Sequence, residues 1–138
     1  MLKRREVIAM LGAVAASARA ASARAQAGKV YRIGILETIP AQQNAANFAG
    51  LSRGLRESGY VEGQNLVIEY RSADGRAEQF PKRAAELIGM PVDLIVTRGT
   101  PATKAAKAAT ATIPIVMAAI DEPFDAGIVA RLARPGGN

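Results

Sequence analysis

Thr97-Arg98-Gly99-Thr100-Pro101-Ala102-Thr103 brings hydroxyls, a guanidinium and a turn-forming glycine together, and Asp121-Glu122-Pro123 brings two adjacent carboxylates. The first segment has the makings of an anion site. Gly99 lets the backbone turn sharply, and Thr100 matches an N-cap whose hydroxyl accepts from a helix-start N–H. The N–H groups that follow, with the helix dipole, suit a carboxylate or a phosphate. Capping alone is the plainer role for Thr100, and the two are compatible if its N–H meets the ligand while its hydroxyl caps. Asp121 and Glu122 are of the right type for acid–base work. Adjacent residues on an extended loop diverge, however, and a helix start explains them more simply. Thr38 can donate to a ligand or satisfy a loop carbonyl. Arg98 can pair with a carboxylate or lie solvated beside its turn.

Other chemistries lack their residues. The 138 residues include no histidine and no cysteine. Disulfides, thiolate metal sites and the usual nucleophile–base pairs therefore lose their key members. Ser52, Ser58 and Ser72 have no histidine to activate them. No G-x-G-x-x-G follows the first apolar run, and neither G-x-x-x-x-G-K-[ST] nor G-x-S-x-G occurs. The sequence implies no catalytic residue, no metal and no cofactor. Three Tyr, three Phe and no Trp supply base-stacking platforms poorly.

Short apolar runs alternate with helical patterns from Lys29 onward. Strands are expected over 30–36, 66–70, 92–97 and 115–120. Helices are expected over 42–58, 77–88, 101–109 and 125–133. Ala45, Phe48, Leu51 and Leu55 share one helical face, with Gly59 as C-cap, and Phe80, Ala84, Leu87 and Ile88 share another. Pro81 has to fall in the first turn of its helix. Strict alternation predicts an α/β fold, a parallel sheet with helices on both faces. Strand one should lie between two and three, with four beyond three. Ligands of such sheets bind at the carboxyl ends of the strands. That selects the loops after strands one, three and four, with Ser72-Ala73-Asp74-Gly75 after strand two a weaker candidate on the outer side.

The formal charge of +6 at first suggests nucleic acid or an anionic membrane. Four of those charges belong to the first 25 residues, where Lys3, Arg4, Arg5, Arg19 and Arg24 face Glu6 alone. The rest, nearly balanced, reads as a solvated surface with no nucleic-acid footprint. Residues 1–25 have the three zones of a secretory signal: a basic start, an apolar run from Val7 to Ala16, and small residues ending in Ala23-Arg24-Ala25. The apolar run is too short for a bilayer core that needs roughly 20 residues. Cleavage after Ala25 is expected, with Ala27 the near alternative. Arg4-Arg5 resemble a twin-arginine signal, although Lys3 and Val7-Ile8 depart from the common pattern; a general secretory signal also fits.

With the signal come "YRIGIL", "GLSRGLRESGYVEGQNLVIEYRSADG", "AAELIGMPVDLIVTRGTPATKAAKAATATIPIVMA" and "GIVARLARPGGN". In this order they closely resemble ABC transporter substrate-binding proteins of the tryptophan/tyrosine-type branch, over essentially all of the mature segment. The resemblance implies a type I periplasmic binding protein fold, two lobes closing on a small organic solute such as an amino acid. Delivery would be to a membrane permease and its ATPase. It implies a periplasmic, non-enzymatic protein, with ligand contacts from Thr38, Gly99, Thr100, Asp121 and Glu122. Such a loop usually reads Gly-Asp-Pro, and here it is Asp121-Glu122-Pro123, with Glu122 in place of the shorter acid. Family members run to roughly twice this length, as two ordinary domains require. Residues 26–138 are therefore expected to be an N-terminal lobe cut before its fifth strand. A ligand-sensing domain that signals to a membrane partner is the alternative. An exported α/β enzyme is a weaker third reading, given the missing histidine and cysteine.

Overall fold

The apolar run Tyr31-Arg32-Ile33-Gly34-Ile35-Leu36-Glu37 forms the buried strand β1 (Tyr31–Glu37) of a computed structural model that describes residues 28–120, 127–129 and 136–138. The elements then follow in alternation. α1 is Ala45–Glu57, β2 is Leu66–Ser72, α2 is Phe80–Ile88, β3 is Leu94–Arg98, α3 is Thr100–Ala109 and β4 is Ile115–Ala119. A single 3-10 turn, Ala77–Gln79, leads into α2. Residues 31–138 form one compact unit. The expected signal, the loop holding Asp121 and Glu122, and most of the expected fourth helix lie outside the described residues.

Among the described residues the strands pair in parallel, as the alternation predicts, and their order is the expected β2-β1-β3-β4. Each face of the sheet has its own core. On one, Ile33, Ile35 and Leu66 meet Phe48, Leu51 and Leu55 of α1. On the other, Leu36, Ala73 and Ile95 meet Phe80, Ala84 and Leu87 of α2 and Ala102 and Ala106 of α3. The period of two along β1 sends Ile33 and Ile35 one way and Leu36 the other. Gly34 lets α2 sit close to β1. A side chain at that position would begin 3.1 Å from Leu87 Cδ2.

Several element boundaries move by a residue or a few. α1 begins at Ala45 rather than Gln42, because Ala41–Asn44 form a turn whose N–H groups reach back to Pro40 and Ala41. Its expected inward residue Ala45 is exposed on the first turn. Ser58 rather than Gly59 is the C-cap, and Gly59 follows it at φ +90°. Pro81 does occupy the first turn of α2. Thr100 is not the N-cap of α3. That position belongs to Gly99, and no side chain caps the helix. The reason is conformational: the turn needs φ +86°, which glycine adopts freely and threonine does not.

Candidate functional site

β1 and β3 run in register to their carboxyl ends, where Leu36 pairs with Thr97. Glu37-Thr38 and Arg98-Gly99 therefore emerge side by side. Thr38 Oγ1 lies 4.0 Å from where a side chain on Gly99 would begin. A shallow depression of about 260 Å³ opens here, bounded by Glu37, Thr38, Ile39, Arg98 and Gly99. Two of the expected ligand residues, Thr38 and Gly99, are thus brought together. Thr100 is half-buried in the first turn of α3 and does not line the depression. Asp121 and Glu122 lie outside the described residues.

The β3–α3 turn is held by a threonine clasp. Thr103 Oγ1 donates to Gly99 O at 3.0 Å and lies 2.8 Å from Thr97 Oγ1. A hydroxyl has one proton, so with Thr103 donating to Gly99 it is Thr97 that donates to Thr103. Both side chains are buried. The Gly99 N–H is donated to Ala119 O at 2.7 Å, which ties the turn to the end of β4. The Gly99 N–H is therefore already taken within the fold.

A polar network, of which Arg98 alone stood out in the sequence, lies beside this turn. Glu37 is only 5% exposed, and it ends an apolar strand. Burial of a carboxylate is costly unless its oxygens are served. Oε1 accepts from Asn44 Nδ2 at 2.9 Å, and Oε2 accepts from the Thr38 N–H at 3.2 Å. Arg98 NH1 stands 3.8 Å from Oε1, an ion pair too long for a hydrogen bond. The same nitrogen donates to Asn44 Oδ1 at 3.0 Å, and Asn47 Nδ2 donates there too. The Tyr70 hydroxyl donates to Ile39 O at 2.9 Å and accepts from Asn44 Nδ2 at 3.2 Å. Burial raises the Tyr70 pKa above its usual 10; the Asn44 hydrogen bond opposes this, the Glu37 charge adds to it, and Arg98 opposes it.

Asn44 sits at the hub because the turn before α1 places it over the strand ends. Beneath it, a groove of about 290 Å³ runs between α1 and the β3–β4 side of the sheet, lined by Phe48, Leu51, Val96 and Ala118 among others. No local pattern marked Asn44 or Tyr70. The available signal was a lone acid, Glu37, closing a strand whose other carboxyl-end residues are apolar.

Ser72-Ala73-Asp74-Gly75 follows the edge strand β2, on the outer side as expected, and is bound to the loop after β1. Gly75 N–H donates to Thr38 O at 2.8 Å and Ala73 N–H to Glu37 O at 2.9 Å. Asp74 and Gly75 adopt φ of 53° and 76°, which turns the chain back onto Thr38.

Comparison with known proteins adds to this geometry. A family model described as ABC transporter substrate binding protein matches residues 32–138. A tyrosine-binding protein of Clostridioides difficile is 33% identical over 110 residues, covering 80% of this chain and 32% of that protein. A crystal structure of a conserved domain protein from Vibrio cholerae superposes with a TM-score of 0.74 at 34% identity, covering 80% of this chain and 37% of that one. A Streptococcus pneumoniae ABC domain crystallised with L-Trp superposes at 0.72 and 31% identity, with the same coverages. The chain thus spans about a third of the length of the relatives it matches.

Proposed function

The chain belongs to the family of ABC transporter substrate binding proteins, and on that premise we propose that it is the solute-capturing component of an ABC import system, with an amino acid as its solute. The observation that carries the reading is the depression at the carboxyl ends of β1 and β3, bounded by Thr38, Arg98 and Gly99. That edge is where open parallel sheets take ligands. Relatives over 30% identical are described as tyrosine-binding or were crystallised with L-Trp, and this supports an aromatic amino acid.

Residues 26–138 supply one lobe of the site, with Thr38, Gly99, Thr100, Asp121 and Glu122 as its ligand contacts. A second lobe closes over the solute, and a permease with its ATPase receives it. Residues 1–25 direct export to the periplasm. N-terminal sequencing of the exported protein is expected to begin at Gln26 or Gly28; retention of Met1 there would count against the signal.

Thermal shift of the full-length protein against the 20 amino acids tests the function. Stabilisation by tyrosine or tryptophan is expected, at about 2.7 kcal/mol when the ligand is present at 100 times its Kd. Indifference to every amino acid would overturn the reading.

A further inference from the structure

Arg98 ends β3 on the same edge as the depression, and among the described residues its guanidinium is anchored at one corner only. NH1 donates to Asn44 Oδ1 at 3.0 Å. Among the described residues, Nε and NH2 have no hydrogen-bond acceptor. The side chain is 42% exposed, whereas that of its counter-charge Glu37 is 6% exposed. Glu37 does not consume the guanidinium, because Asn44 Nδ2 and the Thr38 N–H already serve its two oxygens. A buried carboxylate and a buried amide thus fix a cation in place and leave part of its planar donor fork open to the site. An open guanidinium fork matches the two oxygens of a carboxylate.

We propose that Arg98 is the specificity-determining residue that reads the carboxylate of the solute, with Glu37 and Asn44 as the residues that position it. The Glu37–Arg98 pair is neutral overall and so accepts a zwitterion without burying net charge. This inference deepens the solute-binding reading and rests on it. A merely structural Arg98 would serve to neutralise Glu37 and nothing more, and the two roles are separable.

The test is isothermal calorimetry on the full-length protein with L-tyrosine, L-tryptophan and their decarboxylated analogues tyramine and tryptamine. Wild type should bind the amino acids and reject the amines by at least about tenfold, the low end for a hydrogen-bonded charge. Arg98→Gln should weaken amino-acid binding about 10- to 100-fold, and Arg98→Lys, which keeps the charge without the fork, should weaken it less. The double variant Glu37→Gln/Arg98→Gln removes the unpaired buried charge. It should melt near wild type yet bind as poorly as Arg98→Gln. Wild-type affinity in that double variant, or amines bound as tightly as amino acids, would overturn the role of Arg98. Wild type that binds none of the four compounds, nor any other amino acid, would overturn the functional reading itself and the inference with it.

Discussion

Thr97 and Thr103 bury their hydroxyls in contact, yet the two are not equivalent. Thr103 donates to Gly99 O and accepts from Thr97. Thr103→Val therefore leaves the Thr97 proton without an acceptor, at about 1–3 kcal/mol. Thr97→Val leaves every donor satisfied and should cost about 1 kcal/mol or less. The double variant should be less destabilised than the sum, since the two share one bond. Urea denaturation of the full-length protein gives all three values; equal single-variant costs would refute the assigned proton direction. Tyr70 gives a pH signature. Its raised pKa, caused chiefly by burial, means that the folded state keeps the phenol proton after the unfolded chain has lost it. The unfolded state then binds fewer protons, so stability falls as pH rises above 10. The contribution is intact below pH 10 and is lost through the folded pKa. Tyrosinate absorbance should show Tyr70 titrating above pH 10, and Tyr70→Phe should remove that component together with the matching alkaline loss of stability.

At the scale of elements, β1 and α2 depend on one missing side chain. Gly34→Val would push into Leu87 Cδ2 from a start point 3.1 Å away, in a core where Leu87 is fully buried. Overpacking of this kind costs about 1–3 kcal/mol, and a correspondingly lower melting temperature is expected. A variant that melts as wild type would show that α2 can move away freely. Such packing is where sequence patterns worked well. The apolar periods of β1, α1 and α2 foretold the element types and most core residues, because burial on a sheet or helix face leaves a repeat along the chain. Capping was misjudged at Thr100, since the need for φ +86° at Gly99 outweighed the better hydroxyl. The polar network was not legible either. Glu37, Asn44, Tyr70 and Arg98 lie as far as 61 residues apart in the chain and meet only after the strands pair. Thr38 and Gly99 could be anticipated because they follow directly from two strand ends.

For the molecule as a whole, β4 closes the sheet among the described residues, and the Ile115 N–H on its outer side donates to Asn138 O at 2.7 Å. Val116 is 48% exposed on an apolar, uncharged strand. Beyond Ile115 that edge carries no partner strand among the described residues, and open apolar edges pair with other chains. Residues 26–138 expressed alone should therefore self-associate as concentration rises in size-exclusion chromatography, and a monomer at every concentration would contradict this. The Arg98–Asn44 contact bridges 54 residues, from the end of β3 to the turn before α1. Contacts between such distant segments pay for loop closure before they form. The edge proposed to bind the solute thus comes into being only once β1 and β3 have docked, and a solute bound there could not template the sheet. Refolding should proceed at the same rate with or without solute, while unfolding slows in proportion to occupancy, the kinetic pattern of an interaction absent from the transition state.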